Sequence, residues 1–175
     1  KNLRIMQDKK PVIYNTSRFR SCYEAWGKNL MACISFAAEE GEEVIVKTSV
    51  SAVSTAGATL NLQELNGMTF DALREKGVGL WEKELSKYQI EAQPEVKEAF
   101  YTAAYRAALH PFVFQDADGQ FRGLDKNIEK AEGFTNYTVF SLWDTYRALH
   151  PWFNLVHQDV NADIANSMLA HYSRV

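Results

Sequence analysis

No apolar run in the 175 residues approaches the roughly 20 needed to cross a bilayer, so no membrane span is expected. The opening residues KNLRIMQDKK have neither the apolar centre nor the cleavage site of a secretory signal, and no initiating Met precedes them. Basic clusters are missing too: 19 Lys and Arg stand against 22 Asp and Glu, a net charge of -3, without a stripe that could track phosphates. Nucleic acid is thereby excluded as an expected partner. Val175 comes three residues after a stretch still periodic as a helix, so neither end reads as a natural domain boundary.

Only two cysteines occur. Cys22 and Cys33 flank Trp26-Gly27-Lys28-Asn29, and a two-residue Gly27-Lys28 turn would bring them opposite each other. By the same count they fall at a hydrogen-bonded pair, whose wider Cα separation suits a bridge less well, so two thiols on neighbouring strands is the preferred reading. Asn15-Thr16-Ser17 and Asn136-Tyr137-Thr138 fit the glycosylation acceptor pattern, which is too short to carry weight. There is no Gly-x-Ser-x-Gly, no glycine-rich phosphate loop, and no metal-ligand spacing among the four histidines. His110 and His150 each precede a proline where a helix is expected to end.

What is present is apolar bulk, 46% of residues with 13% aromatic, ample for at least one hydrophobic core. Leu30 to Ala37, the polar turn Glu39-Glu40-Gly41-Glu42 and the β-branched run Val44 to Val50 predict a hairpin at the end of a larger sheet. Near Ser54 the period changes. Leu60, Leu62 and Leu65 before Gly67 predict a short helix. Thr69 caps a second, in which Phe70, Leu73, Gly77, Leu80, Trp81, Leu85 and Tyr88 form a stripe. Gly77 and Gly79 weaken that helix by about 1 kcal/mol each, which predicts close backbone packing there.

Pro94 opens a third helix, whose Phe100, Ala103, Ala104 and Ala107 imply a tightly packed neighbour. Asp118-Gly119 between Phe112 to Gln115 and Gln120 to Gly123 predicts a second hairpin. A helix from about Thr138 to Leu149, stopped by His150-Pro151, and a last one from near Asn161 with Ile164, Met168, Leu169 and Tyr172 on one side complete the pattern. Strands followed by paired helices read as a sheet domain joined to a helical one, an α+β organisation.

Asp116, Asp118 and Asp125 invite a calcium reading. Placing Asp118-Gly119 at loop positions five and six would put Phe114, without a side-chain oxygen, at position one, so the EF-hand pattern is not met and a polar hairpin tip is favoured. Tyr137 to Arg147 holds a better candidate. Trp143 can cover the apolar face of a pyranose while Asp144 accepts from its hydroxyls. Spacing alone favours instead an exposed helix with an Asp144–Arg147 pair at i, i+3 and Trp143 in the core.

The run Phe140-Ser141-Leu142-Trp143-Asp144-Thr145-Tyr146-Arg147-Ala148-Leu149-His150-Pro151 resembles the F-S-L-W-D-T-x-R-x-x-H-P signature of glycoside hydrolase family 92. Phe100 to Tyr105 with His110-Pro111, then Asp116 to Asp125, resemble the segment that precedes this signature; Ser49 to Ser54 and Asn61-Leu62 resemble the junction upstream. The likeness spans roughly Val44 to Val175. It implies a piece of a calcium-dependent, inverting exo-α-mannosidase acting on terminal α-linked mannose of mannose-rich glycans. Residues 1–53 would be the remnant of an amino-terminal β-sandwich, 54–92 a helical linker, and 93–175 the start of an α/α toroid of six helical hairpins.

The resemblance places Trp143 and Asp144 in the pocket for the terminal mannose, with Arg147 as a substrate contact or an anchor for Asp144. It assigns no catalytic residue and no metal ligand here, because the family's general acid, its bases and most calcium ligands lie beyond the signature. The chain alone is expected to be inactive. Its expected partners are a mannose-containing oligosaccharide and the remainder of its own catalytic domain, in a bacterial periplasm or outside the cell. A noncatalytic carbohydrate-binding or interaction module is the alternative.

Overall fold

The structure is a computed structural model that describes residues 2–7, 10–11 and 29–173. The chain divides into two compact units, Lys1–Val46 and Lys47–Val175. Cys22, its proposed turn and the Asn15 acceptor site lie outside the described residues.

The first unit contains a three-stranded antiparallel sheet in the order β2-β1-β3, built from β1 (Asn2–Gln7), β2 (Lys10–Pro11) and β3 (Leu30–Ser35). β1 is central, with Asn2 opposite Ser35 and Gln7 opposite Leu30 along β3. The glutamate-rich turn forms as expected: Glu42 N donates to Glu39 O at 3.1 Å and Gly41 adopts φ +86. The expected hairpin does not. β3 takes β1 as its partner, and Val44 to Val50 carries no ladder among the described residues. High β-branched content favours a strand without choosing its neighbour.

In the second unit the polar groups of residues 47–51 are spent locally. Lys47 Nζ donates to Met68 O, Ser49 Oγ to Ala58 O, and Val50 O accepts from Asn61 Nδ2. Ser54 caps α1 (Thr55–Leu62) by accepting from Gly57 N, and a 3-10 turn over Gln63–Leu65 leads to Gly67 at φ +72. Thr69 caps α2 (Phe70–Leu85) by accepting from Ala72 N. Pro94 is the first residue of α3 (Pro94–Ala107), where its missing N–H costs nothing. These three helices follow the sequence closely. Gly77 and Gly79 do not: a Cβ at either would meet nothing within 4 Å, so neither marks a close backbone approach in this chain. α2 packs instead through its carboxyl-terminal half, with Trp81 against Tyr105 of α3 at 4.5 Å between ring centroids.

After the cis His110–Pro111 bond, β4 (Phe112–Val113) pairs with β7 (Tyr137–Thr138), and β5 (Gln120–Arg122) pairs with β6 (Ile128–Lys130). The hairpin expected across Asp118-Gly119 is therefore shifted by one strand. The turn itself forms, Gly119 N donating to Asp116 O, but Gly123 and Lys126 continue the chain into β6, which offers β5 a longer ladder. The expected helix over 138–149 is broken as well. α4 covers Leu142–Thr145 only, and α5 (Leu149–Val156) contains His150-Pro151 in its first turn. Proline is tolerated there because the first-turn N–H groups lack helical acceptors, so the same dipeptide that stops one helix can open another. α6 (Gln158–Tyr172) follows at once.

The core gathers where α5 and α6 meet the end of α2. Tyr88 and Phe153 are buried there against His157, Ile164 is buried farther along α6, and Phe121 of β5 is buried against His171 near the end of α6. Tyr88 stacks with Trp152 at 5.3 Å and meets Phe100 edge-on at 5.9 Å. On α6 the buried face runs through Ile164 and Ser167; Leu169 and Tyr172, expected beside Ile164, point outward at 63% and 81% exposure. No helix among the described residues is long and apolar enough to cross a membrane.

Candidate functional site

The segment from β7 to α4 is fixed from below by α6. Ser167, fully buried, accepts from Tyr137 N at 2.9 Å and donates to Asp163 O at 2.7 Å, while Asp163 Oδ2 accepts from Thr135 N at 3.0 Å. Val139 follows with φ +65, a left-handed conformation that β-branched residues seldom adopt. The chain then turns into α4.

Trp143 stands out from α4 at 80% exposure, outside the core formed by the described residues. Asp144, beside it and exposed, accepts from Ser141 Oγ through Oδ2 at 2.5 Å, while its own N–H donates to Ser141 O at 2.9 Å. Arg147 is turned away to Tyr146. Its Nε donates to the Tyr146 hydroxyl at 2.9 Å, and its guanidinium carbon lies 5.7 Å from that ring's centroid. No ion pair joins Asp144 and Arg147 among the described residues, so the hydroxyl of Ser141 holds the carboxylate here. Sequence reasoning passed over Ser141, although Ser three residues before an acidic residue at a helix start is a known capping spacing.

The carboxylates of the Asp116 to Asp125 segment are engaged by hydrogen bonds. Asp116, 5% exposed, accepts from Ser51 Oγ at Oδ2 (2.6 Å) and from Asn61 Nδ2 at Oδ1 (2.8 Å). Asp118 accepts from Gln120 N and Nε2, and the backbone N–H first among these holds its carboxyl below the ordinary value of 3.8. Asp125 accepts from Asn127 N and Nδ2. Among the described residues no group of three His, Cys, Asp or Glu could hold a metal ion. The described residues do not by themselves form a calcium site.

Two histidines are built into the packing. His157 is buried, with Nε2 2.5 Å from the Tyr88 hydroxyl and Nδ1 3.3 Å from Glu84 Oε1. Burial first of all pushes the Tyr88 hydroxyl above its ordinary 10.0. His150 Nδ1 lies 2.9 Å from Asn161 Oδ1. Elsewhere an open apolar groove runs between α3 and α5, lined by Phe100, Ala103, Ala107, Leu149, Trp152 and Leu155. The small residues of α3 that implied a close neighbour line this groove, with Ala104 and Ala107 only partly covered among the described residues.

Comparison with known proteins gives this geometry its setting. The glycosyl hydrolase family 92 catalytic domain matches residues 57–175. The chain belongs to that family. It is 73% identical to a family GH92 alpha-mannosidase from Bacteroides thetaiotaomicron, with a TM-score of 0.86, over 99% of this chain and 23% of that one. The same figures hold for that organism's GH92 alpha-mannosidase solved in complex with mannoimidazole. A further GH92 glycosyl hydrolase structure is 28% identical with a TM-score of 0.67, over 70% of this chain and 17% of its own. No curated protein matches significantly. The chain thus spans about a quarter of the length of the solved relatives it matches and mixes helices with strands as an α+β piece of such a protein should.

Proposed function

We propose that this chain is a segment of an exo-α-mannosidase that hydrolyses terminal α-linked mannose of mannose-rich glycans with inversion, and that it contributes one wall of the terminal-mannose pocket. The observation that carries the reading is Trp143 standing free beside Asp144, whose Oδ2 is held by Ser141 while Oδ1 meets no partner among the described residues. An exposed indole face and an open carboxylate oxygen are the two groups that a pyranose uses, one for its C–H face and one for its hydroxyls. Arg147, on the adjoining turn, is a further substrate contact.

Inversion requires a protonated acid at the leaving oxygen and a carboxylate base roughly 6.5 to 9.5 Å away that activates water on the opposite face. We assign neither to this chain, and we place both, with most of the calcium ligands, on the rest of the catalytic domain. Residues 1–53 are read as sandwich remnant, 54–92 as linker and 93–175 as the first part of the toroid, in a protein of the periplasm or cell exterior. The apolar groove between α3 and α5 is where that remaining polypeptide packs.

The test is release of free mannose from an α-mannoside with calcium present. In the complete polypeptide Asp144→Ala leaves sugar hydroxyls unpaired in a desolvated pocket, costing about 1 to 3 kcal/mol and hence roughly tenfold or more in kcat/KM. The 175-residue chain alone releases none. An unimpaired Asp144→Ala enzyme would show the pocket misassigned, and an active isolated chain would refute the placement of acid and base elsewhere.

A further inference from the structure

We propose that Ser141 is a positioning residue for Asp144: its hydroxyl locks the carboxylate through Oδ2 so that Oδ1 is presented to a hydroxyl of the terminal sugar. This rests on the reading of Trp143 and Asp144 as the mannose-binding pair. Ser141 occupies the position before the first residue of α4, where serine ordinarily accepts from a backbone N–H of the first turn. Here its side chain caps nothing, and its hydroxyl goes to the Asp144 carboxylate. Its carbonyl does the backbone work instead, accepting from Asp144 N at 2.9 Å, Thr145 N at 3.1 Å and Thr145 Oγ1 at 3.2 Å. The hydroxyl and carboxylate therefore close a ring across a single turn.

An exposed aspartate without such a bond samples several χ1 wells and a broad χ2, so a sugar must pay to order it on binding. The bond removes that freedom beforehand. The turn carrying both residues is itself held: Val139 is kept in a left-handed conformation, and the strand before it is tied to the fully buried Ser167. Backbone strain of this kind persists only where the surroundings over-determine it, which fits a turn whose geometry must be reproducible.

The experiment measures kcat and KM on an aryl α-mannoside, with calcium, for the complete polypeptide and its Ser141→Ala, Ser141→Thr, Asp144→Ala and Ser141→Ala/Asp144→Ala variants. Ser141→Ala should lower kcat/KM roughly tenfold, as expected for a lost hydrogen bond to a charged group, with an unchanged thermal midpoint. Ser141→Thr, which keeps the hydroxyl, should restore activity to within about twofold, and Ser141→Ala should cost less than about twofold once Asp144 is already alanine. Full activity of Ser141→Ala beside an impaired Asp144→Ala overturns the positioning role and leaves the mannose pocket standing. So does a double variant whose loss equals the product of the two single losses, or a threonine that fails to restore. An unimpaired Asp144→Ala enzyme overturns both.

Discussion

Asp116 ties residues 50–61 to the loop before β5, and removing its charge should loosen both. Its two oxygens take Ser51 Oγ at 2.6 Å and Asn61 Nδ2 at 2.8 Å in a site only 5% exposed. Hydrogen bonds to a charged group are worth about 1.5 to 3 kcal/mol each, and Asn61 keeps the Val50 carbonyl as a second acceptor, so Asp116→Ala should cost about 3 kcal/mol. Asp116→Asn should cost nearly as much. Ser51 Oγ already accepts from Val53 N and Ser54 N, and Asn61 Oδ1 from Ala117 N, so the amide NH2 would face a donor on either side. Gly57 gives the same site a second handle. In helix α1 alanine is favoured over glycine by about 1 kcal/mol, yet a Cβ at Gly57 would overlap Asp116 Oδ2 and lie 2.9 Å from Ser51 Oγ. Overlap with the buried Asp116 carboxylate and crowding of the Ser51 hydroxyl outweigh that propensity, so Gly57→Ala should destabilise on its own and cost at least about 2 kcal/mol less when Asp116 is already alanine. Amide hydrogen exchange in the complete polypeptide, read on peptides covering 49–61 and 114–120, reports the local opening free energy; a loss of about 3 kcal/mol is more than a hundredfold in protection. Unchanged protection in Asp116→Asn, or strictly additive effects of Gly57→Ala and Asp116→Ala, would refute this account.

Two further outcomes are expected. Burial first, then the charges of Asp163 and Asp159, raise the Tyr137 hydroxyl above 10.0; the neutral form is the one favoured by folding, so its contribution is complete below the ordinary value and is lost as pH rises through the raised one. A spectrophotometric titration should show a late-ionising tyrosine that disappears in Tyr137→Phe, and a Tyr137 midpoint at or below 10.0 would contradict it. The isolated chain leaves Phe70 at 75%, Leu80 at 59% and Leu155 at 76% exposure, and Phe100, Trp152 and Met168 partly open, and should bind an apolar dye or self-associate. A tight monomer in sedimentation without dye binding would count against the uncovered faces.

The sequence was most informative where the cause is local. Thr69, Pro94 and the spacing of three and four that follows each of them specify α2 and α3 within a few residues, because caps and first-turn proline act within a single turn. Strand pairing is not local, and there the reading slipped. The apolar runs that became β3 and β4 and the Asp118-Gly119 turn were visible, but which strand each would meet depends on elements tens of residues away: β1 for β3, β7 for β4. His150-Pro151 failed for a related reason, since the dipeptide is compatible with a helix end and with a helix start, and only the neighbouring Trp152 and Phe153, packed against Tyr88 and His157, select the latter.

At the candidate site the sequence offered residue types without their arrangement. Trp143 and Asp144 stood out as a sugar-binding pair, but the spacing that suggested Arg147 as partner also fitted Ser141, since both lie three residues from Asp144 in opposite directions. Helix geometry resolves the ambiguity. α4 lasts only four residues, so Arg147 falls past its end and swings to Tyr146, whereas Ser141 sits where the first turn closes and can reach the carboxylate. A four-residue helix has little stability of its own. Its geometry must come from outside, and the tie of Tyr137 to Ser167 on α6 supplies it on one side. On the other side Leu142, Trp143 and Tyr146 are 46%, 80% and 58% exposed, so no described residue there excludes water from the carboxylate. Under the proposed function the binding value of Asp144 is realised only when the rest of the catalytic domain covers that face, because a hydrogen bond to a sugar gains most once its alternative partner, bulk water, has been removed.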